Sequence, residues 1–170
     1  DLITRAEAAW ARAKVTTSTL TTGSFTSFQT NCDDQDVKAG DADRSAPDQM
    51  THAVLAAIGL FEATGKNEYA DFVAAHHLET WPMSITWWGP YETSVQAGLL
   101  RHAARAGVSA SVAAAIRNQK AAQTVFSIQD LASDRDLYRA YMHDDQYHWG
   151  SNTVRGHVGT IELLHGAHVF

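Results

Sequence analysis

The stretch that decides the fold is PDQMTHAVLAAIGLFEATGKNEYADFVAAHHL, residues 47–78, in which two helical patterns flank a short turn. Pro47 and Asp48 suit the first turn of a helix, because an amide hydrogen is not needed there and a carboxylate complements the helix dipole. Gly65 predicts the end of this helix, and Asn67 can cap the next one. The short connection between them forces an antiparallel helical hairpin.

Apolar residues at helical spacing form one stripe on the first helix of this hairpin: Ala53, Val54, Ala57, Ile58, Leu60 and Phe61. Apolar residues recur at helical spacing on both sides of the hairpin as well. Residues 16–30, rich in Thr and Ser, are expected to form a long surface loop, and residues 31–47 an acidic loop. With the hairpin, the chain is predicted to form about seven helices and almost no strand, a pattern typical of an α/α toroid, an α-solenoid or a bundle. The further helices are expected over about residues 2–15, 91–106, 109–124, 136–142 and from 152 almost to the C-terminus.

The composition is that of a globular chain and argues against two classes of partner. Of 170 residues, 45% are hydrophobic and 19% are charged, which favours a single folded domain. The net charge of −6 argues against nucleic acid as the main partner, because phosphate binding needs a basic surface. No apolar run approaches the roughly 20 residues that cross a bilayer, so we expect no membrane partner. Cys32 is the single cysteine, which rules out an intrachain disulfide.

Three sequence elements occur in an order and approximate spacing that match one enzyme family. The first is SAPDQ at residues 45–49, leading into a helix that closes on ATG at residues 63–65. The second is TWWG at residues 86–89, and the third is YHWGSN at residues 147–152. Together these elements resemble the middle of the catalytic domain of glycoside hydrolase family 9, the cellulase family.

The resemblance implies an all-α fold in which helical hairpins form part of an (α/α)6 barrel, a six-hairpin toroid. It implies that residues 1–170 are a single all-helical unit and an incomplete portion of a larger catalytic domain. Family members hydrolyse β-1,4-linked glucan, or a related β-glycoside such as a chito-oligosaccharide. They invert configuration, with one carboxylate activating water while an acid protonates the leaving oxygen.

By this resemblance the catalytic carboxylates of the family lie outside the 170 residues, so this chain alone is expected to be inactive. Asp41 and Asp43 superficially match the Asp-x-x-Asp base motif of the family and are the candidate catalytic residues within the chain. The alternative is that both aspartates belong to a solvated acidic loop.

Aromatic residues are the candidate walls of a sugar-binding cleft. Trp149 lies on a glycine-containing turn and aligns with a cleft residue of the family, and His148 beside it could hydrogen-bond sugar hydroxyls. A core position for Trp149 is the alternative, since Trp is usually well buried. Trp87 and Trp88 are adjacent and point in opposite directions in extended backbone, so we expect one in the core and one exposed. Trp88 or Tyr91 is the cleft candidate.

The resemblance implies no required cofactor but suggests a structural calcium ion, which takes hard oxygen ligands. Asp48 matches the Asp of the family's Ser-x-x-Asp-Glu element, Gln49 replaces the Glu, and Asp43 could supply the missing charge. Without calcium, Asp48 serves the helix N-terminus. His165 and His168 are spaced to chelate a metal, although a stripe of partly buried histidines is the favoured interpretation.

Three functions compete. In the first, the chain belongs to a secreted glycoside hydrolase in an extracellular or periplasmic location, with an oligo- or polysaccharide and the remaining segments of its own catalytic domain as partners. In the second, it is a non-catalytic all-helical scaffold module that binds a protein or peptide and buries its Trp residues. In the third, it is a complete small α/α enzyme that uses Asp41, Asp43 and Asp145.

Overall fold

The structure, a computed structural model, describes residues 1–20, 46–124 and 151–169. These residues form helices joined by turns and loops, with no β-strand among them, which confirms the predicted all-α class for this part of the chain. None of the described helices is long and apolar enough to cross a membrane. The predicted helix over residues 136–142 lies outside the described residues. The described helices are α1 (Leu2–Leu20), α2 (Ala46–Thr64), α3 (Asn67–His76), α4 (Trp81–Ser84), α5 (Thr93–Ala104), α6 (Ala110–Thr124) and α7 (Ser151–Val169), with a 3-10 turn at His77–Glu79.

The α2–α3 hairpin forms as its sequence predicts. Gly65 ends α2 with a φ of +69°, a left-handed conformation that glycine adopts without steric cost, and its N–H donates to the carbonyl of Phe61 at 2.9 Å. The predicted cap at Asn67 is wrong by one residue. Lys66 takes the extended backbone of the N-cap, no side chain caps the helix, and Asn67 is already helical. The inward stripe of α2 is buried as expected, including Val54 and Ile58.

The end of α1 differs from the sequence prediction. Helix α1 continues to Leu20, so the expectation of a loop from residue 16 is wrong for residues 16–20. Thr and Ser cost only several tenths of a kcal/mol per residue relative to Ala in a helix, so the helix can continue through them. Further along the chain, Trp81 and Pro82 open α4, because proline is tolerated in the first turn of a helix.

Helix α5 is the centre of the core and packs against α2, α6 and α7. Its residues Val95 and Leu99 are fully buried. Gly98 allows α2 to approach closely, since a Cβ at this position would lie 2.7 Å from Cδ1 of Leu55. A side chain at Gly98 would therefore require the end of the Leu55 side chain to shift.

Helix α1 packs against α2, and two of its side chains, Trp10 and Glu7, also contact the start of α3 and the residue before it. Trp10 packs edge-on against Tyr69 and Phe72, with ring centroids 5.8 and 4.9 Å away. Glu7 accepts hydrogen bonds from the ammonium of Lys66 and from the Tyr69 hydroxyl. The hydrogen bond from Lys66 holds the pKa of Glu7 below its usual value. These contacts orient α1 across the end of the hairpin.

A buried ion pair joins α6 and α7. The side chain of Lys120 is fully buried, and its ammonium donates to Oε1 of Glu162. Burial lowers the pKa of Lys120, while the hydrogen bond to Glu162 acts in the opposite direction. His165 lies one turn further along α7, and burial, aided by the nearby Lys120 charge, lowers the pKa of its imidazole. A buried ammonium requires its counter-charge, so this pair constrains how the two helices pack.

Acid is expected to destabilise the fold through His102 on α5. Its side chain is 1% exposed, and burial lowers its pKa to about 4. A histidine in the unfolded chain titrates near pH 6.5, so between pH 6.5 and 4 the unfolded state binds more protons. The free energy of unfolding therefore falls as the pH falls through this window, by about 3 kcal/mol in total. Urea unfolding at a series of pH values from 7 to 4 measures this loss.

The matched variant is His102→Leu, which removes the titrating group from an apolar site. Its free energy of unfolding is expected to fall less steeply over the same pH window, with a residual slope from His165, whose pKa is lowered in the same direction. A pH dependence identical to that of the wild type would show that His102 is not the group responsible.

Candidate functional site

The candidate site is built around the aromatic loop, which we define as residues 85–92 between α4 and α5. The indole of Trp87 packs edge-on against Trp81, with ring centroids 4.8 Å apart and an interplanar angle of 86°. On its other side it lies near the ring of Tyr91, at 5.9 Å and 33°. Three aromatic rings therefore follow one another along the loop and the helix that precedes it.

Side chains from two helices hold three consecutive carbonyl groups of this loop. Gln96, buried on α5, donates from Nε2 to the carbonyl oxygens of Gly89 at 2.7 Å and Tyr91 at 2.6 Å. His157 on α7 lies with Nδ1 2.7 Å from the carbonyl oxygen of Pro90, which can only accept. The loop backbone is thus held by the core helices and not only by its own turns.

The two ends of the aromatic loop carry unusual backbone conformations. Thr86 has a φ of +51° and Glu92 a φ of +53°, both in the left-handed region that residues other than glycine enter rarely. Such conformations carry strain and concentrate at functional sites. Between them the indole of Trp87 lies directly over Gly89, where a Cβ atom would overlap the six-membered part of the ring. The absence of a side chain at Gly89 therefore permits the observed position of Trp87.

The aromatic loop and the start of α2 enclose a cleft of about 390 Å³, which we call the aromatic cleft. This volume lies near the lower end of the range found for ligand pockets, which combine apolar walls with a few polar groups. Here the walls are aromatic and the polar groups are two carboxylates, an imidazole and a hydroxyl. The residues that line the cleft are Asp48, Thr51, His52, Trp81, Trp87, Tyr91 and Glu92.

Thr51 links the two sides of the aromatic cleft. Its hydroxyl donates to the carbonyl oxygen of Pro47 at 2.9 Å and accepts the backbone N–H of Trp81 at 3.0 Å. Thr51 is 2% exposed, so both bonds are shielded from water. The first turn of α2, which carries Asp48, is thereby fixed relative to Trp81.

Of the site residues predicted from the sequence, the structure places two in the aromatic cleft and one in the hydrophobic core. Tyr91 is 55% exposed and lines the aromatic cleft. Trp88 is 6% exposed, belongs to the hydrophobic core and does not line this cleft, so the more exposed member of the Trp pair is Trp87, which is half-buried. Asp48 lies in the first turn of α2 and lines the cleft. The other candidates, Trp149, His148, Asp41 and Asp43, lie outside the described residues, as does Asp145.

Sequence reasoning missed five lining residues, Thr51, His52, Trp81, Trp87 and Glu92. Trp87 could have been found, since one of two adjacent Trp residues had to be the more exposed. His52 lies four residues after Asp48, one helical turn away, so the helical period already placed the two on one face of α2. For Glu92 no signal exists in the sequence, because its position depends on a left-handed backbone conformation.

The described residues contain no group of three or more His, Cys, Asp or Glu side chains placed to hold a metal ion. Calcium takes six to eight oxygen ligands, and of the two predicted carboxylates only Asp48 is described. The structural calcium ion therefore stays a prediction. Of the two predicted chelating histidines, His165 is buried among α6 and α7, and His168 lies one turn further on.

A second cavity lies between α1 and α2, with a volume of about 770 Å³. We call it the apolar groove. It is lined partly by small residues, including Ala6, Ala56 and Gly59, and by Leu2, which is 80% exposed. It offers few polar groups, so it suits binding of an apolar surface and not acid–base chemistry.

No protein-family model matches the chain, and no match to it is found among the curated proteins or the solved structures. Assignment of function therefore depends on the residues and geometry of the aromatic cleft.

Proposed function

We propose that this chain is a segment of an inverting glycoside hydrolase domain of the (α/α)6 barrel type, and that the aromatic cleft contributes a wall of its sugar-binding site. The observation that carries the proposal is the accessible pair of rings, Trp87 and Tyr91, beside the carboxylates of Asp48 and Glu92. The family resemblance of residues 45–49, 63–65, 86–89 and 147–152 supports the same function.

The chemistry of the aromatic cleft suits a pyranose ring. A β-linked glucose unit has apolar C–H groups on both faces and hydroxyls around its rim. An indole or phenol ring can cover the apolar face, as for Trp87, while the hydroxyls hydrogen-bond to carboxylate or imidazole groups, as for Glu92 and His52. Neutral sugars have no charge for steering, so a preformed aromatic wall is the main source of affinity.

The catalytic role is proposed for other residues. Inverting hydrolysis needs a base and an acid on opposite faces of the scissile bond, separated by about 6.5–9.5 Å. On the family resemblance the pair lies outside residues 1–170, with Asp41 and Asp43 as the candidates inside the chain. We propose that residues 1–170 alone bind sugar without turnover, that the whole enzyme acts on β-1,4-linked glucan or a related β-glycoside, and that it does so outside the cytoplasm.

The proposal predicts sugar binding without hydrolysis. Titration with soluble β-1,4-gluco-oligosaccharides is expected to shift the intrinsic Trp fluorescence with a dissociation constant on the order of 1 mM, about −4 kcal/mol. A reducing-sugar assay on the same samples is expected to detect no new ends. The matched control is Trp87→Phe, which keeps a ring of smaller area and should bind several-fold more weakly. Hydrolysis at enzymatic rates would overturn the assignment of the catalytic residues. No fluorescence shift at 10 mM sugar would mean a binding free energy weaker than about −3 kcal/mol and would overturn the proposal that the aromatic cleft binds sugar.

The second candidate function is a scaffold module that binds a protein or peptide, and it is favoured by the apolar groove. A groove of about 770 Å³ lined by apolar residues such as Leu2 and Ala56 can accept the apolar side of a helix. Under this alternative, oligosaccharide leaves the Trp fluorescence unchanged. Leu2→Glu would then weaken protein binding, whereas under the first proposal it leaves sugar affinity unaffected.

A further inference from the structure

We propose that His157 on α7 is a positioning residue of the aromatic cleft, holding the backbone that carries Tyr91 and Trp87. This inference deepens the proposed function and rests on it. The bond that carries it joins Nδ1 of His157 to the carbonyl oxygen of Pro90, 67 residues earlier in the chain, at 2.7 Å. Neither residue touches the cleft itself, since neither is among the residues that line it.

The direction of the bond follows from its acceptor. A carbonyl oxygen has no proton to give, so Nδ1 of His157 carries the hydrogen, in the neutral as in the charged imidazole. Pro90 is buried and His157 is half-buried, so water competes poorly for this carbonyl. If the imidazole were removed, the carbonyl oxygen would lose this hydrogen bond, and the loop would gain freedom to turn towards solvent.

The geometry explains why one hydrogen bond can place a ring. The peptide group between Pro90 and Tyr91 is planar, so fixing its carbonyl oxygen fixes the direction in which the chain enters Tyr91. Gln96 holds the carbonyls on either side, at Gly89 and Tyr91. Without His157 the middle peptide plane can rotate between two held neighbours, and such a rotation moves the Tyr91 ring relative to Trp87.

The position of α7 in the sequence also suits it to a role in positioning the aromatic loop. It begins at Ser151, within the YHWGSN element that contains Trp149, and it packs against α5, which carries Gln96. His157 thus links the aromatic loop, which carries Trp87 and Tyr91, to the helix that follows Trp149 in the sequence. We infer that α7 sets the position of the aromatic loop as well as contributing to the core.

The test compares His157→Ala with His157→Asn, whose side-chain amide nitrogen occupies the place of Nδ1. His157→Ala is expected to raise the dissociation constant for β-1,4-gluco-oligosaccharide about five-fold, the effect of one lost hydrogen bond. His157→Asn should stay within about two-fold of the wild type, because an amide donor is restored. His168→Ala, a half-buried histidine on the same helix, is the control and should change nothing.

A readout without ligand separates this inference from the proposed function. The ¹H–¹⁵N signal of the Trp87 indole, assigned by its loss in Trp87→Phe, should shift in His157→Ala and return towards its wild-type position in His157→Asn. If the wild type fails to bind sugar but the signal behaves in this way, the proposed function fails and the positioning role stands. If the wild type binds sugar and His157→Ala leaves both affinity and indole signal unchanged, the positioning role is wrong.

If His157→Ala does not fold, His157→Gln replaces it in the comparison with His157→Asn. Glutamine carries its amide near the position of Nε2 and cannot reach the Pro90 carbonyl in the same way. Equal affinity and equal indole signals in the Asn and Gln variants would overturn the inference, whereas a defect confined to Gln would support it.

Discussion

Gly89→Ala is expected to weaken oligosaccharide binding about ten-fold, close to 1.4 kcal/mol, by displacing the Trp87 indole from the wall of the aromatic cleft. A methyl group at this position would overlap the ring that now lies over the glycine. The φ of Gly89 is not positive, so alanine fits the backbone and the conflict is steric alone. The indole must move, and an aromatic wall loses most of its contact area when its ring turns away.

The measurement is the same fluorescence titration, run beside the thermal unfolding midpoint of each variant. Trp87→Ala should lose a similar amount of affinity, and Gly159→Ala is the matched control. Gly159 lies in α7, and within the part of the chain that the structure describes, a Cβ added to it would meet no atom within 4 Å beyond its chain neighbours and the backbone of its own helix. Alanine there should therefore keep sugar affinity and raise helix stability by about 0.5–1 kcal/mol. Wild-type affinity in Gly89→Ala, with the indole signal of Trp87 unmoved, would contradict the proposed wall.

Glu162→Leu is expected to lower the free energy of unfolding by about 3 kcal/mol. The substitution removes the carboxylate of Glu162, which accepts a hydrogen bond from the buried ammonium of Lys120. Removing a counter-charge from a buried ion costs several kcal/mol, whereas an apolar pair of similar size can be neutral. Lys120→Met combined with Glu162→Leu should therefore recover most of the loss in urea unfolding.

The pH dependence of Glu162→Leu gives an independent check. Burial already lowers the pKa of Lys120, and removal of the carboxylate lowers it further. Between this lowered pKa and the value near 10.5 in the unfolded chain, the unfolded state binds more protons, so stability rises with pH. The variant should regain stability from neutral pH towards about pH 10, and the double variant should not. A double variant as unstable as Glu162→Leu would show that the pair is not what the substitution breaks.

The fold could be predicted from the sequence where local signals act alone. Pro47 and Gly65 mark the ends of α2 by backbone chemistry that needs no distant partner, and both predictions agree with the structure. The end of α1 could not be placed, because helix propensities differ too little between Thr and Ala to stop a helix by themselves. The barrel architecture stays a prediction.

The candidate site was only partly predictable. Adjacent Trp residues in an extended loop must point apart, but the sequence does not say which one meets the core, and Trp87 proved to be the more exposed one. Tyr91 was predicted and lies in the cleft. The polar residues that hold the loop, Gln96 and His157, were not predicted, because their partners are backbone carbonyls brought close only by helix packing.

The three consecutive carbonyls held by α5 and α7 support the backbone of the aromatic loop without using the rings of Trp87 and Tyr91. Gln96 and His157 bond to backbone oxygens and not to a ring, so the identities of Trp87 and Tyr91 are not needed to keep the loop in place. Recognition and support are therefore carried by separate residues. Natural variation, or a designer, can exchange the rings to alter which ligand is preferred and leave the architecture beneath them unchanged.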